Sequence, residues 1–168
     1  MPNLDRYKAP HVKDIMTTKI IAFHPEHNVV DVLKAFNEHR ITAAPVVDKE
    51  NNLIGFVSEK NCMENLVNFI FYEGLGVGSV ESIMHQEVHS IGSDTDIFEL
   101  EEFLRQKDLR HIPVTDKDNH LVGVVSRRDV LLALEKILHD MVEYKEQIKK
   151  HVELTPMEKV KMKIKNED

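Results

Sequence analysis

The sequence predicts an α+β protein built of two β-α-β-β-α units packed sheet to sheet about a pseudo-twofold axis, with a long C-terminal helix appended. Three observations lead there. The chain repeats itself at a fixed shift, each copy changes its apolar period from helical to strand-like and back, and an apolar seam runs into the tail.

The repeat decides the organisation. Sliding the chain by 68 residues lays Val12-Lys13-Asp14-Ile15-Met16 on Val80-Glu81-Ser82-Ile83-Met84. The same shift lays Pro45-Val46-Val47-Asp48-Lys49 on Pro113-Val114-Thr115-Asp116-Lys117. Leu53-Ile54-Gly55-Phe56-Val57-Ser58 falls on Leu121-Val122-Gly123-Val124-Val125-Ser126. No gap is needed from Val12 to Leu66. This is a duplication.

Within a copy, a short extended segment (Ile20–Phe23; Val88–Ile91) precedes a helix. Asn28 is the expected N-cap of the first, with Val29, Val32, Leu33 and Phe36 on one face at helical spacing. Asp96 repeats the cap, with Ile97, Leu100 and Leu104 on the face. A strand starting at each Pro follows, then a polar turn, then a strand ending at Ser58 or Ser126, and a helix after each Ser.

A half of this size buries too little surface to be comfortable alone, whereas two copies can bury each other's apolar sheet faces. The expected divisions are a first repeat over 1–73 (core 12–68), a second over 74–138 (core 80–134) and a helical extension over 139–168. Gly74, Gly76 and Gly78 mark the joint. In the tail, Leu134, Leu138, Met141, Lys145, Ile148 and Val152 recur in alternating steps of four and three, which predicts a helix from Arg127 to Glu153, about 40 Å long. Thr155–Glu158 has the pattern of a capping box, while Val160, Met162 and Ile164 alternate like a strand, so helix and strand both stay open there.

Composition narrows the function. A net charge of −7, with no basic cluster in the body, argues against a nucleic-acid dock. A single cysteine, Cys62, excludes disulfide staples, and with no secretory pattern at the start the expected compartment is the cytoplasm. No apolar run approaches the roughly 20 residues of a membrane span. Of the ten His, the pairs His24/His27 and His85/His89 lack partners at ligand spacing, so no metal site is expected. No nucleophile–base–orienter set is visible, which points away from an enzyme.

The residues Asp14-Ile15-Met16-Thr17, Ala44-Pro45-Val46-Val47-Asp48 and Gly55-Phe56-Val57-Ser58, with partners ending in Gly123-Val124-Val125-Ser126-Arg127-Arg128-Asp129, resemble the tandem CBS (cystathionine-β-synthase-type) domain pair, or Bateman module. The resemblance spans Val12 to Leu138 and implies a stand-alone, non-catalytic regulatory module, commonly a homodimer, that binds an adenosine nucleotide (AMP, ADP or ATP type) between its repeats.

Gly123–Asp129 ends a strand and opens a helix, a place that favours an anion. Ser126 and Asp129 there fit a capping box worth about 1 kcal/mol, and they equally fit a phosphate edge and a ribose diol. By resemblance, Asp129 grips ribose with Ser126 beside it, and the same cleft takes Thr17, Ala22, Thr42, Ala43, Arg110 and His111. An adjacent Arg-His pair at a loop-to-strand joint serves no packing purpose, which favours an anion-binding role. The twin cleft is expected to be weaker: Ser58 persists, but Asn61 stands in place of Asp129, and His85 stands at the position of Thr17. The competing function is a ligand-free interaction or dimerisation module acting through its sheet faces and C-terminal helix. Occupancy of the cleft separates the two.

Overall fold

A computed structural model gives the fold; it describes residues 9–72 and 76–153, with side chains as far as Lys149. The predicted Thr155–Ile164 segment and Gly74 lie outside the described residues.

In the first repeat, a four-residue helix α1 (Val12–Ile15) leads to α2 (Val29–His39), strands β1 (Ala43–Val47) and β2 (Leu53–Ser58), and α3 (Glu59–Phe71). The second gives α4 (Val80–Ile83), a two-residue strand β3 (Ile91–Gly92), α5 (Ile97–Gln106), β4 (His111–Thr115), β5 (Leu121–Ser126) and α6 (Arg127–Glu153). The caps are those the sequence predicts. Asn28 accepts from the Val30 N–H, and Asp96 from the N–H groups of Phe98 and Glu99. Helix α6 has the predicted bounds. The structure also differs from expectation in three places. Strands β1 and β4 begin two residues before their Pro. Of the two extended segments only Phe23, parallel to Val46, and Ile91, parallel to Val114, pair. The helices α1 and α4 are too short to leave a periodic signal.

Each β pair is an antiparallel hairpin, β1 with β2 and β4 with β5, with a register shift at the matching places Val46/Val47 and Val114/Thr115. The turns are also duplicated. The Asp48 carboxylate accepts from the N–H groups of Glu50 and Asn52, and the Asp116 carboxylate from those of Asp118 and His120. Asn51 and Asn119 take left-handed φ values of 67° and 68°, which Asn tolerates better than most residues. Each of these Asn side chains then crosses to the other repeat, Asn51 donating to the Leu121 carbonyl and Asn119 to the Leu53 carbonyl, both at 3.1 Å.

The repeats also exchange their short helices. The Val12 N–H donates to the Thr95 carbonyl and that of Thr17 to Val124, so α1 lies against the second repeat beside β5. Symmetrically, the Val80 N–H donates to His27 and that of His85 to Phe56, and Val80 joins the first repeat's core with Phe23, Val29, Val32, Phe36, Ala44, Val46 and Val57. Val12 and Val80 are both fully buried. Met16 lies over Gly123 and Met84 over Gly55, so closely that a Cβ on either glycine would fall 2.5 Å from the methionine sulfur. Glycine in these strands makes room for the other repeat's arm. Between the hairpins, Val47, Leu53 and Leu121 form a shared cluster with Ile20, Ala22 and Val88 packed on it.

Both repeats thus fall in one compact unit, Lys8–Val130, while α6 from Leu131 onward belongs to a second. A fragment of residues 1–75 lacks α4 and leaves the Phe23–Val57 core without its Val80 cover. It is expected to give no cooperative thermal transition by circular dichroism, whereas residues 1–153 melt in one step.

Candidate functional site

The exchange of arms shapes a cleft. As the chain leaves α1, the Thr17–Val124 pairing holds residues 17–21 beside β5. The turn after α2 brings Arg40–Ala43 to the same place, and β4, β5 and the start of α6 close it from the second repeat. The resulting cavity of about 340 Å³ is lined by Thr17, Lys19, Ile20 and Ile21, by Arg40, Ile41, Thr42, Ala43 and Pro45, and by His111, Val124, Ser126 and Asp129. That volume and a wall mixing apolar side chains with polar and charged ones suit a small organic ligand.

Of the eight residues predicted for this cleft, six line it: Thr17, Thr42, Ala43, His111, Ser126 and Asp129. Ala22 lies one step beyond, packed on the cluster between the hairpins. Arg110 is exposed and is not among the lining residues. Lys19 and Arg40 line the cavity although the sequence did not single them out. The left-handed backbone of Arg40 (φ 53°), which ends α2, carries no signature in the apolar pattern.

At the start of α6, one carboxylate oxygen of Asp129, Oδ2, accepts from the Ser126 N–H at 2.7 Å and from the Ser126 hydroxyl at 2.6 Å. The Asp129 N–H donates back to that hydroxyl at 3.3 Å. This is the capping box, and it uses one oxygen only. Oδ1 has no hydrogen-bond partner among the described residues, and the half-buried Asp129 borders the cavity. Capping and ligand binding are therefore compatible on one side chain.

The twin arrangement keeps the geometry and changes the chemistry. Asn61 Oδ1 accepts from the Ser58 N–H at 2.9 Å and from its hydroxyl at 2.6 Å. The Asn61 amide nitrogen lies 3.1 Å from His85 Nε2, so the remaining polar end of Asn61 is already engaged. Asn61 is buried, at 8% exposure.

His24, His27 and His89 do structural work. His27 Nδ1 accepts from the His24 N–H, His24 Nδ1 lies 3.0 Å from the Val47 carbonyl, and His89 packs edge-on to Phe103. Asp116, Asp118 and His120 cluster within one exposed turn, whose backbone hydrogen bonds account for the grouping. Cys62 is buried, and burial raises its thiol pKa above the ordinary value. Among the described residues, no helix is long and apolar enough to cross a membrane.

With this geometry in place, comparison with known proteins is decisive. The family model described as "CBS domain" matches residues 12–68 and again 80–136. The chain belongs to the CBS domain family. Among its relatives is an uncharacterised 17.7 kDa protein of Acidianus ambivalens, 27% identical over 127 residues that span 75% of this chain and 74% of that protein. Similar solved CBS structures include CBSX2 from Arabidopsis thaliana, in complex with AMP, at TM-score 0.68 and 25% identity, covering 76% of this chain and 97% of that one. The cytosolic domain of the Mg2+ channel MgtE, in complex with ATP, matches at TM-score 0.61 and 26% identity over 76% of this chain and 50% of that one.

His111 adds a pH dependence. Burial holds its pKa below the ordinary 6.5, with the Arg110 charge acting the same way and Asp129 opposing. The unfolded chain thus binds this proton at a higher pH than the folded one, and stability declines as pH falls below about 6.5 toward the folded value. Melting temperatures between about pH 7.5 and 5.5 are expected to fall less steeply for His111→Gln than for the unsubstituted protein.

Proposed function

We propose that the protein is a non-catalytic regulatory module, acting in the cytoplasm, that binds an adenosine nucleotide (AMP, ADP or ATP type) in the Asp129 cavity. The observation that carries this reading is the division of labour at Asp129, a cavity-lining residue: Oδ2 serves the capping box, while Oδ1 has no hydrogen-bond partner among the described residues. A carboxylate oxygen so placed accepts from a ribose hydroxyl. Ser126 and the first turn of α6 favour an anion close by. Thr17, Thr42, Ala43 and His111 form the walls, and Ala22 supports them from behind. The AMP bound by CBSX2 and the ATP bound by MgtE supply the ligand class. The twin cleft, with Ser58, Asn61 and His85, is the weaker site, because Asn61 brings no charge and already faces His85.

A homodimer belongs to the same reading. An apolar groove between α2 and α3, lined by Leu33, Phe36, Met63, Leu66, Val67 and Ile70, supports it, as do the exposed Leu134, Leu138 and Ile148 on α6. If the α6 seam contributes to the dimer, removing residues from Asp140 onward weakens self-association measurably in sedimentation velocity over a concentration series. An unchanged profile would leave the seam without that role.

The decisive experiment compares two substitutions by calorimetry. Asp129→Ala is expected to weaken AMP, ADP or ATP binding by about 1.5–3 kcal/mol, the range for hydrogen bonds to a charged group, or roughly ten- to a hundred-fold. Asn61→Ala removes the matching capping box and is expected to leave the strong site nearly intact. Equal losses from the two variants, or no nucleotide binding at millimolar concentration, would favour the interaction-module reading instead.

A further inference from the structure

The two repeats are charge-reversed at one joint. In the second repeat, Asp108, just beyond the C-cap of α5, takes a left-handed conformation (φ 50°) and accepts from the Arg127 guanidinium at 2.8 Å. That ion pair depresses the Asp108 pKa. In the first repeat, the counterpart of Asp108 is Arg40 (φ 53°), and the counterpart of Arg127 is Glu59. The backbone joint is the same: the Glu59 N–H donates to the Thr42 carbonyl at 2.9 Å, and the Arg127 N–H to the Arg110 carbonyl at 3.1 Å. The partners for a mirrored ion pair are therefore present. Yet among the described residues Arg40 forms no ion pair and no side-chain hydrogen bond, and it lines the cavity. Lys19 is also without an ion pair among the described residues, and it lines the same cavity.

We infer that the cavity selects its nucleoside by charge, with Lys19 and Arg40 as the selecting residues: it takes phosphate-bearing nucleosides and disfavours cationic ones such as sulfonium nucleosides. This rests on the nucleoside-binding reading above and deepens it. Lys19 and Arg40 give the lining two fixed positive charges, against one carboxylate, that of Asp129, half of which is committed to the capping box. The remaining titratable lining group, His111, is kept from charging by burial and so adds no third charge near neutral pH. A phosphate answers the net positive lining and can be bound bidentately by the guanidinium. S-adenosylmethionine carries a sulfonium and an ammonium against one carboxylate, and it brings net positive charge to a positive wall. Like charges at close range disfavour it by the same Coulomb interaction that favours the phosphate.

The test is calorimetry on the full chain with adenosine, AMP, ATP and S-adenosylmethionine, for the unsubstituted protein, Lys19→Gln and Arg40→Gly. Glycine suits a φ of 53°, so Arg40→Gly removes the charge at a position where the backbone welcomes the change, and its melting temperature should hold or rise. The unsubstituted protein should bind AMP and ATP more tightly than adenosine, and S-adenosylmethionine more weakly than AMP. Each substitution should weaken AMP or ATP about tenfold, as expected for one charge-assisted contact, and leave adenosine within about twofold. Phosphate ligands should also weaken with added salt while adenosine does not. The inference is overturned if S-adenosylmethionine binds as well as AMP, or if adenosine and AMP lose affinity equally in both variants; in either case nucleoside binding itself stands. If neither adenosine nor any nucleotide binds at millimolar concentration, the parent reading falls and this one with it.

Discussion

Met16 lies over Gly123 in the opposite repeat, and Met84 over Gly55, and much of the structure follows from those two crossings. A side chain at either glycine would meet the methionine sulfur, so the strand surface is left bare for the arm of the other repeat. The arm then hydrogen-bonds along that strand, through Thr17 to Val124 and His85 to Phe56, and its helix buries Val12 or Val80 completely. The residues that follow each arm are thereby fixed in space. In the first repeat these include Thr17, Lys19, Ile20 and Ile21, which form a wall of the cavity. Packing and site geometry thus share one cause, because the contact that joins the halves also places the lining.

The same dependence explains why neither half is self-sufficient. Val80 sits in the core of the first repeat, although 68 residues of shift assign it to the second. The turns reinforce the exchange, since Asn51 and Asn119 each donate across the pseudo-twofold axis. Cooperativity in this fold comes from reciprocity, with each repeat completing the other's core and ladder.

What could be read in the sequence was what local chemistry dictates. The repeat register, the Asn28 and Asp96 caps, the Asp48 and Asp116 turns and the bounds of α6 all depend on neighbours within a few residues, and such patterns survive in one dimension. The Ser126–Asp129 capping box was legible for the same reason, lying on one short segment. What could not be read depended on crossings. Helices α1 and α4 are single turns held by the other repeat, so no periodicity announces them. Arg110 is adjacent to His111 in sequence, yet only His111, the first residue of β4, lines the cavity. Arg40 lines the cavity because a left-handed residue redirects the chain after α2, and that geometry has no hydropathy signature.

The exchange of arms has a consequence for how such a chain can change over time. A single repeat paired with an identical copy could satisfy every crossing described here, Met over Gly and arm over strand, by swapping arms between molecules. In such a pair each substitution appears twice, and the two clefts must remain identical. Joining the repeats in one polypeptide keeps the mechanical closure and releases that constraint. One cleft can hold aspartate at the helix start while its twin holds asparagine, and one joint can keep its ion pair while the other turns an arginine toward the cavity. Gene duplication here retained the symmetry of the scaffold and made the two helix starts separately heritable.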